Sequence, residues 1–300
     1  MKILHESARE RDSGVPREAW YYEKRPGGFC ACLLCPRGCL IAPGTLGHCG
    51  ARLNLEGTLV LPFYGLVSSI ALDPIEKKPL RRFLPGSLTF SAGFWHCTMD
   101  CPFCQNWEIA HPDRIEPRKI EAAELIGMAL RSGCPSISFT YSEPCLHIEY
   151  LVEAMTLARQ AGLRTVLVTN GNLRPEPAAR ILALTDAANI DLKTSIASRY
   201  REILGGEIES VKQFIAIANP LCHVEVTSLL VPGVLDSPGQ IEEIARFLAG
   251  ISRKIALHIT PYHEAYRWDR PPLGAEESAA IAAPAFDLLD HVYYQRPFHG

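Results

Sequence analysis

Cys97-Thr-Met-Asp-Cys101-Pro-Phe-Cys104 sets three thiols at C-x3-C-x2-C spacing, with an aromatic directly before the last. Three thiolates hold a [4Fe-4S] cluster by three corners, whereas full coordination takes four cysteines. The fourth iron then stays open, as a catalytic zinc keeps one position free, and an amine together with a carboxylate can chelate it. The competing reading is three buried thiols on one helix face at i, i+4, i+7. Pro102 opposes that, because inside a helix it removes a hydrogen bond and clashes with the preceding turn. The context fits a loop wrapped around a cofactor: Leu88–Ser91 is strand-like, Ala92-Gly93 reads as a turn, and the cysteines follow at once.

A second group precedes it. Cys32, Cys35, Cys39 and Cys49 are spaced C-x2-C-x3-C-x9-C, with Cys30 and His48 as spare ligands and glycines between them. Such knuckles let thiolates converge on a structural Zn2+ or on an iron-sulfur cluster, and the spacing leaves both open. Cys134, Cys145 and Cys222 lack ligand-spaced neighbours and read as ordinary thiols.

The elements that must position these groups follow from periodicity. Leu59–Phe63 and Leu66–Leu72 read as short strands, and Asp73–Pro79 as a surface turn. From residue 88 strand-like runs alternate with helical patterns, the mark of βα units on a parallel sheet. Strands are expected at Leu88–Ser91, Ser136–Thr140, Thr165–Thr169, Ala188–Leu192, His223–Leu229 and Lys254–Thr260. Helices are expected at Ile120–Ser132, Leu146–Ala161, Glu176–Leu184, Ser198–Leu204, Val211–Ile217, Gln240–Ala249 and Glu276–Leu289. Six such units make an α/β fold, a partial (β/α)6 TIM-type barrel two units short of closure. The expected division is a tail and Cys-rich metal-binding segment over residues 1–65, then the barrel over 66–300.

Successive strand residues point to opposite faces. Ser136, Ser138 and Thr140 share a face, as do Asn189, Asp191 and Lys193, then His223, Glu225 and Thr227, then His258 and Thr260. These polar faces are expected to line an interior that receives a polar cofactor and substrate, or else to satisfy one another. Ligands bind at the carboxyl ends of strands in such sheets. There the chain carries the cysteine loop, Ser142-Glu143-Pro144, Asn170-Gly171, Asp191-Leu-Lys193 and Pro261-Tyr-His263.

Three hundred residues with a net charge of −3 offer no electrostatic footprint for nucleic acid or an anionic membrane. No apolar run reaches the length of a membrane-spanning helix, and Met1–Asp12 is polar, with no secretory signal. Eleven cysteines at metal-ligand spacings point to a reducing cytoplasm.

The cysteine loop resembles that of the radical S-adenosylmethionine (SAM) superfamily. Cys-Pro-Arg-Gly-Cys39, Asp73-Pro-Ile-Glu-Lys-Lys-Pro79, Cys104-Gln-Asn-Trp-Glu108, Tyr141-Ser-Glu-Pro144, Val168-Thr-Asn-Gly171, Asn189-Ile-Asp-Leu-Lys193 and Leu230-Val-Pro-Gly233 resemble the AmmeMemoRadiSam system radical SAM enzymes, relatives of the pyruvate formate-lyase activating enzyme. The resemblance spans roughly residues 20–265. It implies a [4Fe-4S] cluster on Cys97, Cys101 and Cys104, with SAM chelating the open iron and Phe103 near its adenine. Ser142 and Glu143 match the stretch that receives the methionyl amine, although the two glycines of that stretch are missing. Asp191, Lys193 and His263 match segments near the methionine carboxylate, with Lys193 as its counter-charge. Asn170 and Glu225 complete the expected cofactor-binding set. Two departures stand out: extra-cluster cysteines of glycyl-radical activases follow the radical SAM motif, and the tail Tyr293–Gly300 lacks a cysteine.

The expected reaction is reductive cleavage of SAM to a 5′-deoxyadenosyl radical that abstracts hydrogen from a substrate the sequence does not identify. A low-potential donor of flavodoxin or ferredoxin type supplies the electron. A small molecule, a protein side chain or AmmeMemoRadiSam partner proteins are the expected targets; a glycyl-radical activase is the alternative. A non-catalytic iron-sulfur electron carrier and a zinc-stabilised binding module remain as readings from other classes.

Overall fold

The computed structural model describes residues 16–112, 115 and 118–295; the expectations for Met1–Asp12 and for the last five residues of the tail lie outside them. Strands β1 (Tyr22–Arg25), β2 (Phe29–Cys32) and β3 (Leu40–Ile41) form an antiparallel sheet, and β4 (Leu53–Leu55) pairs with β5 (Thr58–Val60) as a hairpin. Asn54, fully buried, ties the two together by donating to the carbonyls of Gly28 and Ile41, both at 2.8 Å. A buried amide needs such partners.

The main sheet has eight strands: β6 (Val67–Pro74), β7 (Leu88–Phe94), β8 (Ser136–Thr140), β9 (Arg164–Thr169), β10 (Ala187–Asp191), β11 (His223–Leu230), β12 (Ala256–Pro261) and β13 (Val292–Tyr294). They lie side by side in chain order, with β6 antiparallel to β7 and every other pair parallel. The helices are α1 (Trp107–Ala110), α2 (Ala122–Arg131), α3 (Ile148–Gln160), α4 (Pro175–Leu182), α5 (Ala197–Glu202), α6 (Ile208–Ala218), α7 (Pro238–Ile251), α8 (Ala275–Ala282) and α9 (Ala285–Leu288). Their apolar stripes, such as Leu151, Met155 and Ala158 of α3 or Ile241, Ile244 and Leu248 of α7, are buried with Ile137, Phe139, Leu167, Ile190 and Val226 of the strands. Each such Leu, Ile, Val, Met or Phe side chain taken fully from water contributes roughly 1.5–3 kcal/mol.

All six expected parallel strands are present, in an open partial barrel. Three details differ. Strand β7 runs through Ala92-Gly93 to Phe94 instead of turning there. Gly93 is the reason the pairing survives: a side chain at that position would collide with Ser68, Ser69 and Tyr141. The single final helix is split at Pro284, which cannot extend α8. Finally, Val292–Tyr294 adds an edge strand beside β12.

The largest departure concerns Asp73–Pro79, which is not a surface turn. Ile75 and Leu80 are fully buried against Val166 and Ala187, on β9 and β10. Lys78, 2 % exposed, reaches Asp73 at 2.7 Å, and Lys77 reaches the other carboxylate oxygen at 2.8 Å. The segment is therefore a plug inside the partial barrel. It also consumes the lower polar layer of the strands. Asn189 donates to the Pro79 carbonyl at 3.0 Å, and the Glu225 carboxylate accepts from the backbone amides of Arg81 and Arg82 at 3.1 and 2.8 Å and pairs with His223 and His258.

Candidate active site

The cysteine loop leaves the carboxyl end of β7 and is held from three sides. From below, Ser142 and Ser68 donate to the Phe94 carbonyl at 2.6 and 3.0 Å, and His147 Nε2 meets the Trp95 carbonyl at 2.8 Å. Burial drops the His147 pKa to about 4 against the opposing pull of that carbonyl, so the ring is neutral and its Nε2–H donates. From the side, Asp100 N donates to the Leu204 carbonyl at 2.9 Å. From above, Arg267 N donates to the Pro102 carbonyl at 2.8 Å and its guanidinium grips Asp100 at 2.7 Å. Phe103 is buried, edge-on to Tyr262 at 6.5 Å and to Trp268 at 6.3 Å. The segment after β12 thus supplies the wall around Phe103, while His263 itself is exposed.

Glu143, Thr169 and Asn170 form a corner beside Cys97. The Glu143 carboxylate accepts from Thr169 Oγ1 at 2.7 Å, Asn170 N at 2.8 Å and Cys145 N at 3.0 Å. Burial raises its pKa and these donors oppose the rise. Three of its acceptor sites are spent on the protein, so Glu143 positions the corner. Asn170 Nδ2 then reaches Cys97 Sγ at 3.5 Å and Thr98 Oγ1 at 3.0 Å. Met99 N adds a second donor to the same sulfur at 3.4 Å.

Tyr141 answers the question of the missing glycines. It stands where the first would, with φ +76°, in the left-handed region that glycine adopts freely. Its hydroxyl donates to Asp73 and its ring lies 4.2 Å beneath the Lys78 ammonium. The plug therefore holds a tyrosine in a glycine's backbone conformation. His96, one residue before Cys97, is also left-handed at φ +72°.

On the far side of the loop, Lys193 bridges to Asp191 at 2.8 Å. Burial works against its charge, but the charges of Asp191 and Cys101 outweigh that and raise its pKa. The structure thus gathers Cys97, Cys101, Cys104, Phe103, Asn170, Asp191 and Lys193 around one loop, with Ser142 and Glu143 supporting it. Glu225 does not join them. It sits two residues below Thr227, the partner of Asp191 in the sheet, and its carboxylate is committed to the plug.

These residues fit a metal cluster. Burial, first of all, raises the pKa of all three thiols, to about 12 for Cys101 despite the nearby Lys193 charge. Buried thiols of this kind become thiolates when a cationic core replaces their protons. Residues missed by the sequence reading are Thr98, Tyr141, His147 and Arg267. Of these, Thr98 lies inside the cysteine loop and Tyr141 inside the Tyr141-Ser-Glu-Pro144 segment, but their types alone assigned them no role.

The radical SAM superfamily profile matches residues 96–248. An uncharacterized protein of Methanocaldococcus jannaschii is 37 % identical over 265 residues, covering 87 % of this chain and 79 % of its own. The pyruvate formate-lyase-activating enzyme of Clostridium pasteurianum is 26 % identical over 185 residues, covering 57 % of this chain and 73 % of the enzyme. Among solved structures, SuiB of Streptococcus suis bound to S-adenosylmethionine superposes with a TM-score of 0.56 at 16 % identity, covering 71 % of this chain and 52 % of SuiB, a likeness of fold. Among the described residues, no helix is long and apolar enough to cross a membrane. With a profile match over half its length, carried by the cysteine loop and the strands that hold it, this chain belongs to the radical SAM superfamily, enzymes that use a [4Fe-4S] cluster and S-adenosylmethionine.

Proposed function

We propose that the chain is a radical SAM enzyme of the AmmeMemoRadiSam system, with Cys97, Cys101 and Cys104 as cluster ligands. The convergence of Asn170, Lys193 and Phe103 on that one loop carries the cluster-and-SAM reading, while the AmmeMemoRadiSam assignment rests on the resemblance of the sequence motifs. When bound, the cluster supplies the single electron that cleaves SAM to methionine and a 5′-deoxyadenosyl radical. The protein's own residues bind, orient and exclude water. Lys193 offers the fixed positive charge for a carboxylate, and Asp191 keeps its ammonium in place. Phe103, closed in by Tyr262 and Trp268, offers an apolar wall for a purine. Ser142 fixes the chain just before the loop, and Tyr141 shapes the neighbouring backbone without occupying it with a side chain. The electron comes from a low-potential flavodoxin- or ferredoxin-type donor. All eleven cysteines are free, in keeping with a reducing cytoplasm.

A glycyl-radical activase is the second reading, supported by the 26 % identity to a pyruvate formate-lyase-activating enzyme. The carrier and binding-module readings fall away with membership of an enzyme superfamily. The test is 5′-deoxyadenosine formation by anaerobically reconstituted protein with SAM and dithionite, beside Cys101→Ala. Product from the parent chain and none from the variant is expected. A fully loaded parent chain that forms none, and whose EPR signal ignores SAM, sinks the proposal.

A further inference from the structure

We propose that Cys32, Cys35, Cys39 and Cys49 hold a second iron-sulfur cluster, distinct from the one at the cysteine loop and separated from it by Thr98. Two turns bring the four thiols together. Strand β2 ends at Cys32, whose backbone N–H bonds the Cys39 carbonyl at 2.9 Å; between them Gly38 N returns to the Cys35 carbonyl at 3.3 Å. Gly38 turns at φ +60°, and a side chain there would press on Arg174. The second knuckle, closed by Gly50 N on the Gly47 carbonyl at 2.9 Å, delivers Cys49. All four cysteines line one pocket, whose remaining wall includes Leu34, Ile41, Leu146 and Thr98.

The occupant follows from spacing. Among the described residues, no three His, Cys, Asp or Glu side chains stand close enough to share one metal ion. A structural zinc draws its sulfurs to about 2.3 Å from the ion, and so within about 4 Å of one another. The four thiols line one pocket, yet no three of them form such a group. The same holds for Cys97, Cys101 and Cys104, where the superfamily's occupant is a [4Fe-4S] cluster. A cluster has several metal corners to reach apart, and a fully ligated one takes four cysteines, the number present. The inference leans on the radical SAM reading for that one comparison.

Thr98 makes the two sites neighbours. It follows Cys97 in the chain, bonds Asn170, and contributes to the pocket of the other four thiols. Gly50, next to Cys49, touches the His96 ring on the other side of the same seam, so closely that a side chain there would meet Nδ1 at 2.8 Å.

The test uses the full chain reconstituted anaerobically, with a Cys97/Cys101/Cys104→Ala triple variant and a Cys32/Cys35→Ala double variant. Iron and acid-labile sulfide are counted, zinc is assayed, and EPR spectra of the reduced proteins are recorded with and without SAM. About eight irons are expected in the parent and about four in each variant, for two four-iron clusters. The triple variant's signal is expected to ignore SAM and the double variant's to shift. Zinc alone, or no metal, in a folded triple variant overturns the proposal, as does a double variant that keeps all the parent's iron. A double variant blind to SAM counts against the radical reading and leaves the second cluster standing. Should circular dichroism show a variant unfolded, the parent decides: part of its reduced signal must be indifferent to saturating SAM, and a signal that shifts as a whole overturns the proposal.

Discussion

Replacing Arg52 with methionine is expected to loosen the Cys-rich segment from the barrel. Arg52 and Glu149 are 1 % and 0 % exposed and joined at 2.9 and 3.0 Å by one guanidinium nitrogen. Arg52 also donates to the Trp20 carbonyl at 3.0 Å, while Trp20 N donates to Glu149 at 2.7 Å. The residue just before β4, one residue of the approach to the Cys-rich segment and one helix of the barrel, α3, meet at this pair. Methionine retains much of the volume and abandons the carboxylate in the interior. Removing one partner of a buried ion pair typically costs about 3–5 kcal/mol, because the survivor keeps its desolvation penalty. Since 1.4 kcal/mol is a factor of ten, the folded-to-unfolded ratio should fall by roughly 10²–10⁴. Replacing both, as Arg52→Met with Glu149→Leu, should recover most of the loss, since an apolar pair of similar volume is often as stable as the ions. Urea unfolding of the four proteins in a double-mutant cycle, followed by circular dichroism and tryptophan fluorescence, measures this. An Arg52→Met variant within about 1 kcal/mol of the parent, or a double variant less stable than either single one, refutes the reasoning.

Three further outcomes follow from the site and the plug. Asn170→Ala removes a donor to Cys97 Sγ, so the cluster should still load but show a lower reduction potential in an EPR-monitored titration; an unchanged potential denies the contact. Tyr141→Gly should lose the contacts to Asp73 and Lys78 yet recover about 1–2 kcal/mol of left-handed strain, leaving it more stable than Tyr141→Ala in urea. Burial would raise the Glu225 pKa, but bonds from His223, His258 and the amides of Arg82 and Arg81 hold it at about 2. A depressed folded pKa contributes stability that is complete above the unfolded carboxylate range and lost as pH falls from there through about 2. That amounts to about 3 kcal/mol. Glu225→Gln should flatten this acid limb in pH-resolved unfolding; an identical slope would remove Glu225 from the account.

The sequence carried most of the frame because a buried parallel strand leaves a short, readable signature. Ser136–Thr140 emerges with the bounds its alternation suggests, and α7 gains only two residues at each end. The cysteine loop was legible because Pro102 rules out its competitor. What escaped depends on partners distant in sequence. Asp73–Pro79 has the composition of a turn, and nothing local reveals that Lys78 finds Asp73 inside a barrel. Glu225 was assigned to the cofactor on strand alternation, which gives the face of a residue but not its height along the strand. Arg52 and Glu149 lie 97 residues apart, with no pattern linking them. Tyr141 hides a glycine-like backbone behind a bulky side chain, a conformation only the folded plug sustains.

The order of the strands has a consequence for assembly in the cell. Because neighbours in the sheet are neighbours in the chain, each unit can dock on the one before it as synthesis proceeds from the amino terminus. The cysteine loop is thus made early, on the second strand of the main sheet. Lys193 arrives several strands later, and the clasp from Arg267 to Asp100 spans 167 residues. Until the segment after β12 leaves the ribosome, the loop lacks its lid. The clasp from Arg267 therefore closes over the loop only after all six strands from β7 to β12 have been made.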